Sequence, residues 1–560
     1  MVEQIQTEGY KKIVRNLNNI PVSIMDVDAA GEASLKASDK VVSVVEEKYM
    51  KSTLKDTIPF LGGSASTGFS DGFSSYTGNG QIVAVIDEGF NEPHPMLDGS
   101  FTNELCLSES YQEYLNAIVE SACPGSATES EATGSTLPNT SSNNHGSSVS
   151  SAAVGRHVTA GPDHYSGVAK ASDIYPVKIV MKVTEKSGYD LCDDSVPTLS
   201  VCYLLAMSVV LTALDKIIDL SNDGTLGKPI AAINASFGSE DFYSNESACD
   251  AANIGYAEAF ASLKLANIAP IVAAGNSGDG VNQDKLGSPA CVTNAIGVSS
   301  STRSDTMAYY SNAGTLTDLV APGGDMSGSG DGGIILAGDG SSMSAMQGTS
   351  FAAPIVAGAY AVMREQNPTI SVDTVLRVFQ ETGANVVENR AGYTAITHKR
   401  LALASALAAS TDLPSITSVT PQGSSFSDGD TVSLDIVAPN AVSCSQVGGA
   451  GTASISSGQG TMDITIGGGT QSYLIECIDS NNYAARFSIT LAASGSSGIP
   501  GSENVGSNGQ VLGSITPGTP NTGFQRLFRQ NILLTLALTF ASSGLIIYLA
   551  INRKKLTSNK

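Results

Sequence analysis

The sequence predicts an α/β fold, with a mostly parallel sheet flanked by helices. An immunoglobulin-like all-β sandwich and a C-terminal transmembrane helix follow it. Three observations carry this reading. Apolar, β-branched runs end abruptly in polar or glycine turns, as buried parallel strands do: Gln81–Ile86 stops at Asp87, and Ile271–Ala274 stops at Gly275-Asn276. From Ser415 to Ala493, about seven short apolar runs recur between glycine and polar turns. Residues 532–551 are predominantly apolar and uncharged, and about 20 such residues suffice to span a bilayer.

The elements follow in order. Ile20–Met25 and Val41–Glu46 read as strands around a short helix. Gln81–Ile86 places Asp87 at a strand's carboxyl end, where open α/β sheets hold their ligand crevices. Asn144-His145-Gly146 opens a run of small residues through Gly155, a helix able to pack closely. Ile271–Ala274 leads into a turn that presents the amide of Asn276. Gly348-Thr349-Ser350 opens an apolar helix in which Pro354 is placed in the first turn, where few amide donors are needed.

Taken singly, these residues have plainer readings: a turn aspartate, a surface histidine, a turn-holding asparagine and a Thr-Ser helix cap. Taken together they make a mechanism. Ser350 attacks a carbonyl, His145 takes its proton and returns it to the leaving amine, and Asp87 orients the imidazole. The Asn276 side chain and the Ser350 amide hold the oxyanion.

These motifs resemble the subtilisin-like serine proteases of the subtilase family, whose order is also Asp, His, Ser. The likeness spans roughly residues 75–410. It includes Tyr76–Gly80, His94-Pro95, Gly167–Ala169, Ile174–Lys178, Ser288–Ala290 and Ala321–Gly323. It implies that substrate backbone lies along Ser236-Phe237-Gly238 and Ala273-Ala274-Gly275. It implies an endopeptidase acting on proteins or peptides, with an inhibitory propeptide remnant over residues 1–56 cut between about Glu47 and Tyr76. The chemistry needs no cofactor. Family members often carry structural calcium, but no acidic loop here has EF-hand spacing, so no ligand is assigned. Two departures stand out: Glu88 follows Asp87 where Thr or Ser is usual, and Ser148 replaces a common second histidine. A catalytically inactive surface adhesin on the same scaffold is the alternative. An acid protease of the sedolisin group would have Glu in place of His145.

Length and composition bound the rest. The 560 residues exceed one ordinary domain. The expected layout is 1–56, a peptidase domain at 57–411, the sandwich at 412–493, a Gly/Ser/Pro linker at 494–531, the membrane helix at 532–551 and a basic tail at 552–560. A net charge of −23 argues against nucleic acid as a partner. The eight cysteines suggest three local disulfides, Cys106–Cys123, Cys192–Cys202 and Cys444–Cys477, the last bridging the two sheets of the sandwich. Cys249 and Cys291 are left as buried thiols or a further pair. No apolar leader is visible near Met1, so a missing N-terminal piece is expected. Arg553-Lys554-Lys555 puts the tail inside and the catalytic domain outside the cell. Thr519-Pro520-Asn521-Thr522-Gly523 resembles a sortase signal, which implies sortase and the cell wall as partners. The sandwich reads as a spacer between enzyme and membrane.

Overall fold

The computed structural model describes residues 10–27, 29–37, 41–46, 49–52, 76–91, 93–114, 117–139, 144–160, 163–185, 201–327, 332–493 and 545–551. Ten strands form its central sheet: β1 (Ile82–Asp87), β2 (Leu105–Leu107), β3 (Glu129–Ser130), β4 (Asp173–Lys178), β5 (Ile230–Ala235), β6 (Ala269–Ala273), β7 (Ile296–Ser301), β8 (Leu319–Pro322), β9 (Ala384–Val387) and β10 (Thr397–Arg400). Their spatial order is β9-β10-β8-β7-β6-β5-β1-β4-β2-β3. Every pairing from β10 to β2 is parallel, and only the edge strands β9 and β3 run antiparallel.

Helices cover both faces of this sheet, which is why β1 and β5 are apolar without alternation and buried throughout. Helices α2 (Met207–Asp223) and α3 (Ile254–Leu265) close one face. Helices α1 (His145–Val154), α4 (Thr349–Gln366) and α5 (Val372–Thr382) close the other. Helix α4 is buried on every side from Thr349 to Arg364, and its small residues allow that. The chain reverses direction across the sheet at β1, because β4 and β5 flank it on opposite sides. A crevice opens at that switch point.

Pro354 is not in the first turn as expected; it is the sixth residue of α4. Proline cannot donate to the carbonyl four residues back, which belongs to Ser350. The Ser236 hydroxyl donates to that carbonyl instead, at 2.7 Å.

All seven expected strands of the C-terminal module are present, as a three-stranded and a four-stranded sheet around one core. Cys444 and Cys477 are cross-strand partners within the four-stranded sheet, so their disulfide does not bridge the two sheets as expected. The module packs against the helix α5 end of the peptidase unit. Arg377 of α5 lies 4.0 Å over the Tyr483 ring and donates to the Asn481 carbonyl at 2.7 Å. Ser371 N donates to Ala484 O and Arg486 N to Thr369 O, at 3.0 and 2.7 Å.

Cys106–Cys123 is bonded as expected, and Cys249 and Cys291 also form a disulfide instead of remaining thiols. Cys202 is disulfide-bonded, while Cys192 lies outside the described residues.

The N-terminal unit holds the two expected strands at Val22–Val27 and Val41–Glu46 around the helix Ala29–Lys36, plus an unforeseen one at Tyr10–Asn16. Asp215 of α2 anchors this unit by accepting from Asn18 N and Asn19 N at 2.9 and 2.6 Å. Leu545–Ile551, expected as the end of a membrane helix, is an extended strand parallel to Val22–Val27 and Val41–Glu46. Hydropathy alone does not separate a buried strand from a helix, and Ile546, Ile547, Tyr548 and Ile551 favour the strand. Residues 532–544 and the Thr519–Gly523 motif lie outside the described residues. Among the described residues no helix is long and apolar enough to cross a membrane.

Candidate active site

Three strand ends and two helix starts converge on the crevice. Strand β1 delivers Asp87, β5 runs into Ser236 and β6 runs into Asn276, while α1 and α4 begin at His145 and Thr349. Backbone pairing fixes the first of these: Asp87 lies opposite Lys178 of β4, and Ile179 N donates to its carbonyl at 3.1 Å.

Asp87 and His145 meet directly. The His145 Nδ1 lies 2.9 and 3.0 Å from the two Asp87 carboxylate oxygens. A carboxylate only accepts, so Nδ1 carries the proton. Gly146 makes the approach of α1 feasible: a Cβ there would sit 2.4 Å from the Gly89 carbonyl oxygen and 3.0 Å from the Asp87 Cβ. Both side chains are almost wholly buried, at 2% and 3% exposure. Burial disfavours the imidazolium, but the charge and hydrogen bond of Asp87, joined by the charge of Glu88, outweigh it. The His145 pKa is therefore raised above its ordinary 6.5.

The other ring nitrogen, Nε2, is buried and makes no hydrogen bond among the described residues. The His145 ring lies against Phe351, the neighbour of Ser350, with centroids 5.7 Å apart. The Ser350 hydroxyl is 3.5 Å from the Ser236 carbonyl oxygen. The structure thus joins Asp87 to His145 and sets Phe351, the residue after Ser350, against the imidazole, while the Nε2-to-Oγ hydrogen bond is not made. Such bonds are often long before substrate arrives.

Asn276 is aimed by its neighbours. Its Oδ1 accepts from Thr349 N at 2.9 Å and from the Thr349 hydroxyl at 3.0 Å. With the oxygen held, the amide nitrogen is left as a donor toward the start of α4. The preceding turn needs glycine, because Gly275 has φ +108° and an added Cβ would lie 2.9 Å from Asn312 Oδ1.

Ser236-Phe237-Gly238 and Ala273-Ala274-Gly275, the two segments expected to wall the crevice, lie at the ends of the adjacent parallel strands β5 and β6. The first is paired with another part of the chain itself. Tyr49–Ser52 lies antiparallel to it, with Ser52 opposite Phe237 and Lys51 opposite Gly238. On its other edge, Met50 and Tyr49 pair with Leu205 and Ala206.

Sequence reasoning missed several contributors. Lys178 is buried beside Asp87 and donates to the carbonyls of Ala122 and Leu137, at 3.0 and 2.7 Å. Burial lowers its pKa to about 8. Its adjacency to the Asp87 strand was visible only through β-register. Thr349 was readable as the neighbour of Ser350 but not as the clamp on Asn276. Ser148, at the departure from the family pattern, donates to the Ala337 carbonyl at 2.6 Å. Among the described residues, no group of three or more His, Cys, Asp or Glu could hold a metal ion. No ligand set for the family's calcium is therefore assigned.

The family model of subtilases matches residues 78–429, which contain every residue just described except the Tyr49–Ser52 strand. This chain belongs to the subtilase family. The subtilase is 30% identical over 225 residues to the subtilisin-like serine protease Pen ch 13 of Penicillium rubens, covering 40% of this chain and 44% of that one. It is 36% identical over 153 residues to subtilisin-like protease 4 of Trichophyton rubrum, covering 27% and 32%. The aligned part spans less than half the length of these curated relatives. Among solved structures, it resembles a protease of Pseudoalteromonas arctica at 22% identity and TM-score 0.43, covering 61% of this chain and 94% of that one.

Proposed function

We propose that this subtilase is a serine endopeptidase that hydrolyses peptide bonds in protein substrates. The observation that carries the reading is the buried Asp87–His145 pair, at 2.9 Å, beside the start of the Ser350 helix. With its proton on Nδ1, the imidazole offers Nε2 as a base. Ser350 Oγ attacks the scissile carbonyl as its proton passes to Nε2. The proton then goes to the leaving amine, and water hydrolyses the acyl-enzyme by the same route in reverse. The Asn276 amide and the Ser350 N–H stabilise the oxyanion.

The antiparallel seating of Tyr49–Ser52 supports a polypeptide substrate, since an extended backbone already pairs with Phe237 and Gly238. It also supports a zymogen, in which the N-terminal unit blocks the crevice until it is cut. The proposal extends to a cell-surface location through the apolar run 532–551 and the Thr519–Gly523 motif. A membrane helix there requires Leu545–Ile551 to leave the N-terminal sheet, and removal of that unit would free it. Surface-form peptides extending past Gly523 would overturn the sorting step.

The decisive test treats the full chain with a fluorophosphonate probe and sequences its N-terminus. The reading expects labelling at Ser350 and a new terminus between Glu47 and Tyr76, both lost in Ser350→Ala. An unlabelled protein would instead be the inactive adhesin.

A further inference from the structure

We infer that Phe242 forms the floor of the pocket for the substrate side chain preceding the scissile bond, and that it restricts this subtilase to small, uncharged residues there. The inference rests on the endopeptidase reading above.

The pocket lies between the two walls of the crevice. A substrate strand paired with Phe237 and Gly238, as Tyr49–Ser52 is, must turn the side chain nearest Ser350 into the gap between Ser236–Gly238 and Ala273–Gly275. Gly287 closes that gap from below. Its N–H donates to the Ala274 carbonyl at 2.9 Å, and the next residue, Ser288, accepts from Ser239 N at 2.9 Å. The segment is thus tied to both walls.

Phe242 sits directly opposite Gly287. It pairs antiparallel with Gly287 in a two-stranded ribbon, Phe242–Tyr243 against Leu286–Gly287. A Cβ built on Gly287 would lie 3.4 Å from the Ala274 carbonyl oxygen, 3.5 Å from Phe242 Cε1 and 3.7 Å from the Ser239 carbonyl oxygen. Those are van der Waals distances to both walls and to the ring at once. A single carbon there already touches the ring edge. A Cβ built on Gly275 would meet the same ring atom at 3.3 Å. The edge of one aromatic ring thus lies between two glycines of facing segments, in the space a long substrate side chain would need.

The floor's chemistry is neutral. The nearest atoms at the two glycine positions are carbonyl oxygens, the Asn312 amide and the Phe242 ring. The Asn312 Oδ1 is already engaged by Ser277 N at 2.8 Å. No carboxylate is among those atoms to balance the charge of a lysine or arginine. Alanine fits such a pocket, and phenylalanine meets the ring.

The test measures kcat/KM for wild type and Phe242→Ala, each expressed as the full chain and assayed after cleavage of its N-terminal unit, on matched peptides with Ala, Leu, Phe or Lys before the scissile bond. Wild type should favour Ala over Phe by at least about tenfold, the scale set by a methylene or two in an apolar pocket. Phe242→Ala should reverse that order, and Phe242→Leu should fall between, which guards against a variant that folds poorly. Equal use of Ala and Phe by wild type would overturn the inference, as would an unchanged preference in an active Phe242→Ala. Absence of any hydrolysis, together with no fluorophosphonate labelling of wild type, would instead overturn the endopeptidase reading beneath it.

Discussion

Replacing Asp87 with Asn removes a charge and leaves the shape nearly intact, so it isolates what that carboxylate does. The His145 Nδ1 lies 2.9 and 3.0 Å from its oxygens, and both residues are buried. At 3–4 Å between charge centres and an effective dielectric near 20, the attraction is about 4–5.5 kcal/mol. Its full strength is felt only while the imidazole is protonated, as it becomes in the transition state. At about 1.36 kcal/mol per factor of ten, kcat should fall about 10³–10⁴-fold. KM should stay near wild type, because Asp87 touches the imidazole and not the substrate. The pH profile supplies an independent check. His145 must be neutral to act, and its raised pKa sets the acid limb of wild type above pH 6.5. Without Asp87, burial becomes the dominant influence and the limb moves to lower pH. Stopped assays of kcat across pH 4–9 would read both effects. A loss of less than about tenfold, or a limb that stays in place, would refute the assigned role.

Two further outcomes follow from named contacts. Asn276→Ala should lower kcat by about 10²–10³ with little change in KM, as measured on a peptide ester, since the oxyanion donor is lost, together with the acceptor of the Thr349 N–H and hydroxyl. Asp318 is a stability handle: burial pushes its pKa up from 3.8 to about 6, against the opposing hydrogen bond from Gly297 N. A raised carboxylate pKa contributes stability that is complete below pH 3.8 and lost as pH rises through about 6. Asp318→Asn should therefore stabilise the fold by up to about 3 kcal/mol at pH 7–8 and not near pH 4. Thermal melts showing an equal gain at both pH values would contradict this.

What could be read in the sequence was what local composition encodes. The apolar run into Asp87, the small-residue helix after His145 and the glycine turn before Asn276 each carry their signal within ten residues. Of the four candidates, Asp87 and His145 are hydrogen-bonded, and Asn276 is bonded to Thr349, the residue before Ser350. The seven strands of the C-terminal module were legible for the same reason, through alternation and turns. What failed depended on partners distant in sequence. Cys249 and Cys291 are 42 residues apart, and nothing local pairs them. Tyr10–Asn16 carries three basic residues and reads as polar, yet it is a strand because Val22–Val27 pairs with it. Register decides whether Cys444 and Cys477 face one another within a sheet or across two, and apolar runs do not reveal register.

The position of Pro354 ties the start of α4 to the segment after β5. Its missing N–H would leave the Ser350 carbonyl without its helical donor, and the Ser236 hydroxyl fills that role. Asn234 in turn donates to the Ser236 hydroxyl at 2.9 Å. Ser236 also precedes the Phe237–Gly238 strand, the wall expected to pair with substrate, and its own carbonyl oxygen lies 3.5 Å from the Ser350 hydroxyl. A shift of that wall would therefore move the first turn of α4, and with it both Ser350 and the Thr349 clamp on Asn276. On the helix's other side, Gly358 lets α4 approach α1 so closely that a Cβ there would lie 2.5 Å from the Ala153 carbonyl oxygen. Ser236 thus holds the first turn of α4 by a side-chain hydrogen bond, and close backbone contact with α1 holds the same helix two turns on, at Gly358. Placing reacting groups within a fraction of an ångström demands that kind of two-sided constraint. A proline that leaves a carbonyl open for Ser236 supplies one side of it.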